Sequence, residues 1–204
     1  MMNSTNEQTN FAKRGHKYLC FTQRFFVLAG ILALSYVAAM LLYARIYQNV
    51  ASNTLEQQMH AEELHTVSLP RHAVKEGDLL GRIKIPRLKV QVAILEGTSS
   101  QTLRLGVGHI GGTALPGEPG NIGIAGHRDT YFRALKDIRA DDEIQIQTAT
   151  GVARYAVDWI QITAPGDSDI LVHKTGSALT LVTCYPFYFV GSAPERYVVH
   201  AHTK

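Results

Sequence analysis

A chain of 204 residues holds one folded domain plus an anchor and little more. With 46% hydrophobic and 18% charged residues, the composition excludes disordered and fibrous classes. The net charge of +3 sits in the first 44 residues, which carry four Lys/Arg and one acid, whereas residues 45–204 carry sixteen of each sign; that balance gives no reason to expect a nucleic-acid partner, whose binding requires a basic patch.

Residues 1–24 read as a polar, basic cytoplasmic tail. Residues 25–43, FFVLAGILALSYVAAMLLY, are nineteen uncharged residues, the length a helix needs to cross a hydrocarbon core. A cleaved signal peptide has a shorter apolar core followed by a small-residue cleavage site, and Leu41-Leu42-Tyr43-Ala44-Arg45 does not supply one. Lys13, Arg14, Lys17 and Arg24 precede the span and Arg45 alone follows closely, so the positive-inside rule predicts a single-pass protein of the cell membrane with a cytoplasmic N-terminus and an extracytoplasmic domain. Residues 44–75 read as a stem: no Gly or Pro interrupts 44–67, and Pro70 then breaks any continuing helix.

From residue 76 onward, short β-branched runs alternate with Gly, Pro and Asp, the pattern of an all-β barrel or sandwich. Residues 79–85 and 89–95 read as strands around Pro86-Arg87, 99–105 as a helical turn, 121–126 as an apolar strand after a Pro/Gly loop at 116–120, and 131–138 as a short helix. Residues 143–148 alternate cleanly. Residues 154–163 start with Tyr155, Val157 and Trp159 in phase and then shift to Ile160 and Ile162, which suggests a bulge. Residues 178–183 and 196–202 are the last two strands, making about eight strands with sparse helix.

The two cysteines lie on opposite sides of the span, so they cannot pair within one chain. Cys20, beside the span on the cytoplasmic side, is read as a bystander. Cys184, on the outer side, is an unpaired thiol in a compartment where cysteines usually pair. It ends a strand and is closely followed by Pro186. A small buried core cysteine is the bland reading; a nucleophile needs a base or a cation beside it. His127, after Gly126 at another strand exit, could be that base. Arg196, at the start of the final strand, could hold an oxyanion. Taken alone, each of these two is more simply a surface residue, Arg196 paired with Glu195.

Thr180-Leu181-Val182-Thr183-Cys184 resembles the Thr-Leu-X-Thr-Cys signature of the sortases, Gly126-His127-Arg128 is similar to that family's histidine segment, and Arg196 in Glu-Arg-Tyr-Val-Val falls on its arginine. The resemblance covers roughly residues 76–203. It implies a closed eight-stranded sortase-type β-barrel with short helices behind one N-terminal transmembrane helix, and a membrane-inserted cysteine transpeptidase without a cofactor. Its implied partners are secreted proteins with a C-terminal sorting signal similar to Leu-Pro-X-Thr-Gly and an amine nucleophile such as a cell-wall precursor or a pilin lysine. By the same resemblance, Cys184 attacks the threonine carbonyl, Arg196 stabilises the oxyanion and His127 protonates the leaving amine, with Thr180, Val182 and Thr183 shaping the peptide groove. Within the family the chain is most similar to class D, with class E close.

Competing readings have weaker patterns. His200 and His202, two apart on one strand face, could take a metal with His109, yet no acidic or cysteine ligand set accompanies them. Glu118, Asp167 and Asp169 form only a diffuse calcium pattern. In a papain-like peptidase the histidine follows the cysteine, the reverse of the order here. The reading from another class is a non-catalytic, membrane-tethered β-barrel that binds or scaffolds.

Overall fold

A computed structural model of the chain describes residues 23–43, 45–46, 74–172 and 176–204. Most of the expected tail, Cys20 and nearly all of the stem at 44–75 lie outside these residues. The chain divides into two compact units, Met1–Arg45 and Ile46–Lys204.

The first unit contains helix α1, Gln23–Tyr43, 21 residues that are apolar from Phe25 onward. That length and composition fit a single-pass membrane anchor.

The second unit is a closed barrel of eight strands: β1 (Leu79–Ile85), β2 (Val90–Glu96), β3 (Val107–His109), β4 (Asn121–Gly126), β5 (Glu143–Thr148), β6 (Gly151–Thr163), β7 (Ala178–Tyr185) and β8 (Glu195–Thr203). Around the barrel they run β1-β2-β3-β4-β7-β8-β6-β5, and β5 closes onto β1. Two neighbouring pairs are parallel, β2 with β3 and β4 with β7; the others are antiparallel. A parallel pair needs a crossover. For β2 and β3 it carries the six-residue helix α2, Ser100–Leu105, whose N-cap Ser99 accepts the Thr102 N–H at 3.2 Å.

Strand β3 has three residues, too few for a period-2 pattern to stand out, and it lay unmarked between the helical turn and the Pro/Gly loop. The expected helix at 131–138 contracts to a single 3-10 segment, Arg133–Asp137. Its spacing explains why: Phe132, Leu135 and Ile138 recur every three residues, and all three are buried in the core.

Alternation sets the interior. On β5, Ile144 and Ile146 point inward, meeting Ile83 and Ile85 of β1, Ile94 of β2, and Leu179 and Leu181 of β7. Strand β7 is buried on both faces over its first four residues, as expected of a strand in parallel pairing. The 3-10 turn at Asp169–Leu171 packs against β4, where Asn121 Nδ2 donates to the Leu171 carbonyl at 2.8 Å.

The phase shift in β6 is a bulge. Val157 pairs with Ala201 and Trp159 with His200, leaving Asp158 as the extra residue. Its carboxylate accepts from Nδ1 of both His200 (2.9 Å) and His202, and Trp159 stacks on His200 with ring centroids 4.8 Å apart. His109 lies elsewhere, hydrogen-bonded to Glu96 Oε2 at 2.8 Å and to the Ala114 carbonyl at 3.0 Å.

Candidate active site

One end of the barrel gathers the C-terminal ends of β4 and β7 and the N-terminal end of β8, three adjacent strands. Gly126 of β4 is in register with Thr183 of β7, so His127 and Cys184, the next residue of each, leave the parallel pair side by side. Cys184 in turn pairs with Arg196 across the β7–β8 ladder. Adjacent strands lie about 5 Å apart, so thiol, imidazole and guanidinium issue from one row. His127 is exposed, while Cys184 and Arg196 are half-buried. Cys184 is thus not a sealed core residue.

Behind this row, Ala125, Val182 and Val198 form a second row in register, and Val182 shares the face of Cys184. Ala125 and Val182 are half-buried and Val198 is fully buried, so an apolar floor runs along β4 and β7. Arg196 does not pair with the Glu195 carboxylate as a surface ion pair would. Its Nη1 donates instead to the backbone carbonyls of Glu195 (2.9 Å) and Ala193 (3.3 Å).

The two motif threonines are buried. Thr180 is 0% exposed and donates to Asn121 Oδ1 at 3.0 Å; Thr183 is 2% exposed and donates to the Gly126 carbonyl at 2.7 Å. Any shaping of the groove by these two residues therefore acts through the position of β7 and not through an exposed side chain. Both hydroxyls are spent tying β7 to β4, because a buried hydroxyl must find an acceptor. Thr183 in particular fastens the strand that carries Cys184 to the carbonyl just before His127.

Gly126 is required by close approach. A Cβ there would stand 2.6–2.9 Å from ring atoms of Phe132, which is fully buried and returns its N–H to the His127 carbonyl at 3.1 Å. The chain after His127 therefore folds back over its own strand end. Beneath the site, Tyr185, Phe187 and Tyr197 pack edge-on and stacked at 5.1–6.0 Å, and burial pushes the Tyr197 phenol up.

Arg128, the last residue of the histidine segment, has contacts that no local pattern shows. It is 7% exposed, and its guanidinium donates to the carbonyls of Pro186 (3.0 Å), Phe189 (2.7 Å) and Gly191 (3.1 Å), all in the loop between β7 and β8. Of the acids weighed for calcium, Asp167 is engaged in its own loop, accepting from Thr163 Oγ1 and from the Asp169 N–H at 3.2 Å.

Residues 83–204 match the family model of the sortase domain. The chain belongs to the sortase family. It is 34% identical over 125 residues to Sortase D of Bacillus subtilis, a match covering 61% of this chain and 63% of that relative's length. Among solved structures, a Clostridium perfringens Sortase D5 transpeptidase superposes with a TM-score of 0.62 at 28% identity, over 78% of this chain and 97% of that one. A Clostridium perfringens sortase C solved with the C-terminal cell wall sorting motif gives a TM-score of 0.60 at 26% identity, over 74% and 88%. The sortase barrel and the resemblance to class D expected from the sequence are both present. A thiol, an imidazole and a guanidinium on adjacent strand ends are the groups that acyl transfer through a thioester uses.

Proposed function

We propose that this sortase is a membrane-anchored cysteine transpeptidase acting on secreted proteins that carry a C-terminal sorting signal of the Leu-Pro-X-Thr-Gly kind. The observation that carries the reading is the register: Cys184 opposite Arg196, and Gly126-His127 beside Thr183-Cys184. The relative solved with a cell wall sorting motif supports the substrate class.

The signal peptide lies along the apolar floor, touching Val182 and Ala125. Cys184 thiolate attacks the threonine carbonyl, and Arg196 turns from its backbone carbonyls to hold the oxyanion, a charge that exists only on the way to and from the intermediate. His127 gives its proton to the leaving glycine amine, and the C–N bond breaks to leave a thioester on Cys184. An incoming amine, from a cell-wall precursor or a pilin lysine, gives up its proton to His127 as it attacks. The thioester opens and the thiolate returns. Exposure of His127 gives the acceptor a path to the site.

Helix α1 holds the enzyme in the cell membrane, with the basic tail cytoplasmic and the barrel outside, where secreted substrates pass. The test is a sorting-signal peptide ending in a thiol-reactive group, applied to the full chain in detergent. A single adduct on the peptide containing Cys184, absent in Cys184→Ala, is expected. A folded enzyme that takes no adduct is a scaffold, and the proposal fails.

A further inference from the structure

We propose that Arg128 is a positioning residue that fixes the spacing of His127 and Cys184 by clamping the loop at residues 186–191. The inference rests on the catalytic reading of those two residues.

The loop begins two residues after Cys184 and ends five before Arg196. Three of its carbonyls, from Pro186, Phe189 and Gly191, converge on one guanidinium that adjoins His127 in the chain. The backbone after the imidazole and the backbone after the thiol are thereby tied to each other through a single side chain.

Phe187 anchors the start of the loop against Tyr185 and Tyr197, and the Phe189 N–H bonds the Pro186 carbonyl at 3.3 Å, but the tip beyond lacks apolar cover. Tyr188 is 73% exposed and Val190 95%, so the hydrophobic effect does not fasten this tip. Segments with few buried contacts open readily unless polar bonds hold them. The clamp is also not an ion pair in the main: Asp129, whose Oδ2 lies 3.6 Å from Arg128 Nε, is largely exposed. A planar fork with five fixed donors can serve three carbonyls at once, whereas a lysine ammonium reaching the same place is a point charge on a flexible stem.

The experiment compares full-length wild type, Arg128→Ala and Arg128→Lys in detergent. Three quantities are read: hydrogen exchange of the amides at 187–191, kcat and KM for a sorting-signal peptide with an amine acceptor, and the pH dependence of iodoacetamide alkylation at Cys184. Both variants are expected to exchange those amides at least about tenfold faster. They should lose about tenfold to a hundredfold in kcat with KM changed far less, since misplacing reacting groups by an ångström costs that much. The pH profile of Cys184 alkylation should shift in both, because the imidazole is no longer held beside the thiol.

Full recovery in Arg128→Lys would overturn the proposal, since charge alone would then suffice. So would a rise in KM alone, or a folded Arg128→Ala with wild-type exchange and turnover. If Arg128→Ala does not fold, Arg128→Lys decides. If wild type itself neither turns over peptide nor takes an adduct on Cys184, the catalytic reading has failed, and unchanged exchange in the variants would separately refute the clamp.

Discussion

Cys184 and Arg196 stand opposite each other across the β7–β8 ladder, backbone partners that are both half-buried. Neighbours of this kind are held by the backbone, so their relation does not depend on a long side chain finding its partner. Arg196→Ala should keep the fold and lower kcat/KM by about 10²–10³, the cost of removing an oxyanion donor. Arg196→Lys should recover only part of that, since the fork is lost. Steady-state kinetics with a sorting-signal peptide checks both; an Arg196→Ala enzyme with normal kcat/KM would remove the arginine from the mechanism.

The proposed acid–base transfer between Cys184 and His127 predicts a bell-shaped pH dependence of kcat/KM, one limb for each group. His127→Ala should flatten the limb it owns and lower the maximum by about 10²-fold or more. Retention of an unchanged bell in that variant would assign the limb to another residue.

Acid stability has a separate origin. Arg87, in the turn between β1 and β2, forms a bidentate pair with Asp142 and also donates to the Asp137 carbonyl at 2.6 Å. The Arg87 hydrogen bond holds the Asp142 carboxyl below its ordinary 3.8. A depressed folded pKa means that its contribution is full above pH 3.8 and is lost as pH falls through the lower, folded value. Asp142→Asn should therefore lower Tm by about 5 °C at neutral pH, through the lost charge-assisted bonds. The gap to wild type should close at the acid end, as thermal melts across pH would record; a gap independent of pH would mean that the pair is not its source.

Packing at the end of β4 makes a sharper structural prediction. Gly126→Ala places a methyl within 3 Å of the Phe132 ring and should cost about 1–3 kcal/mol. Because the two sites share one space, Gly126→Ala with Phe132→Leu should be less destabilised than the sum of the single changes. Denaturant melts of the four proteins give the coupling directly, and strict additivity would count against the clash.

The amino-acid sequence by itself determined the parts that depend on local pattern. An uncharged run of nineteen residues sets helix α1; short apolar and β-branched runs between turn residues set seven of the eight strands; the shift after Val157 marks the bulge at Asp158; and Thr180-Leu181-Val182-Thr183-Cys184 carries the likeness to the sortases. Only the tertiary structure decided which residues meet. It brought Arg128 to Gly191, 63 positions away, and closed the hydroxyls of Thr180 and Thr183 onto β4. It also paired the three-residue β3, which has no period of its own. The physical reason is that side-chain alternation is a property of each strand alone. Which donor finds which acceptor is fixed when eight strands close into one register, and that register belongs to the whole barrel.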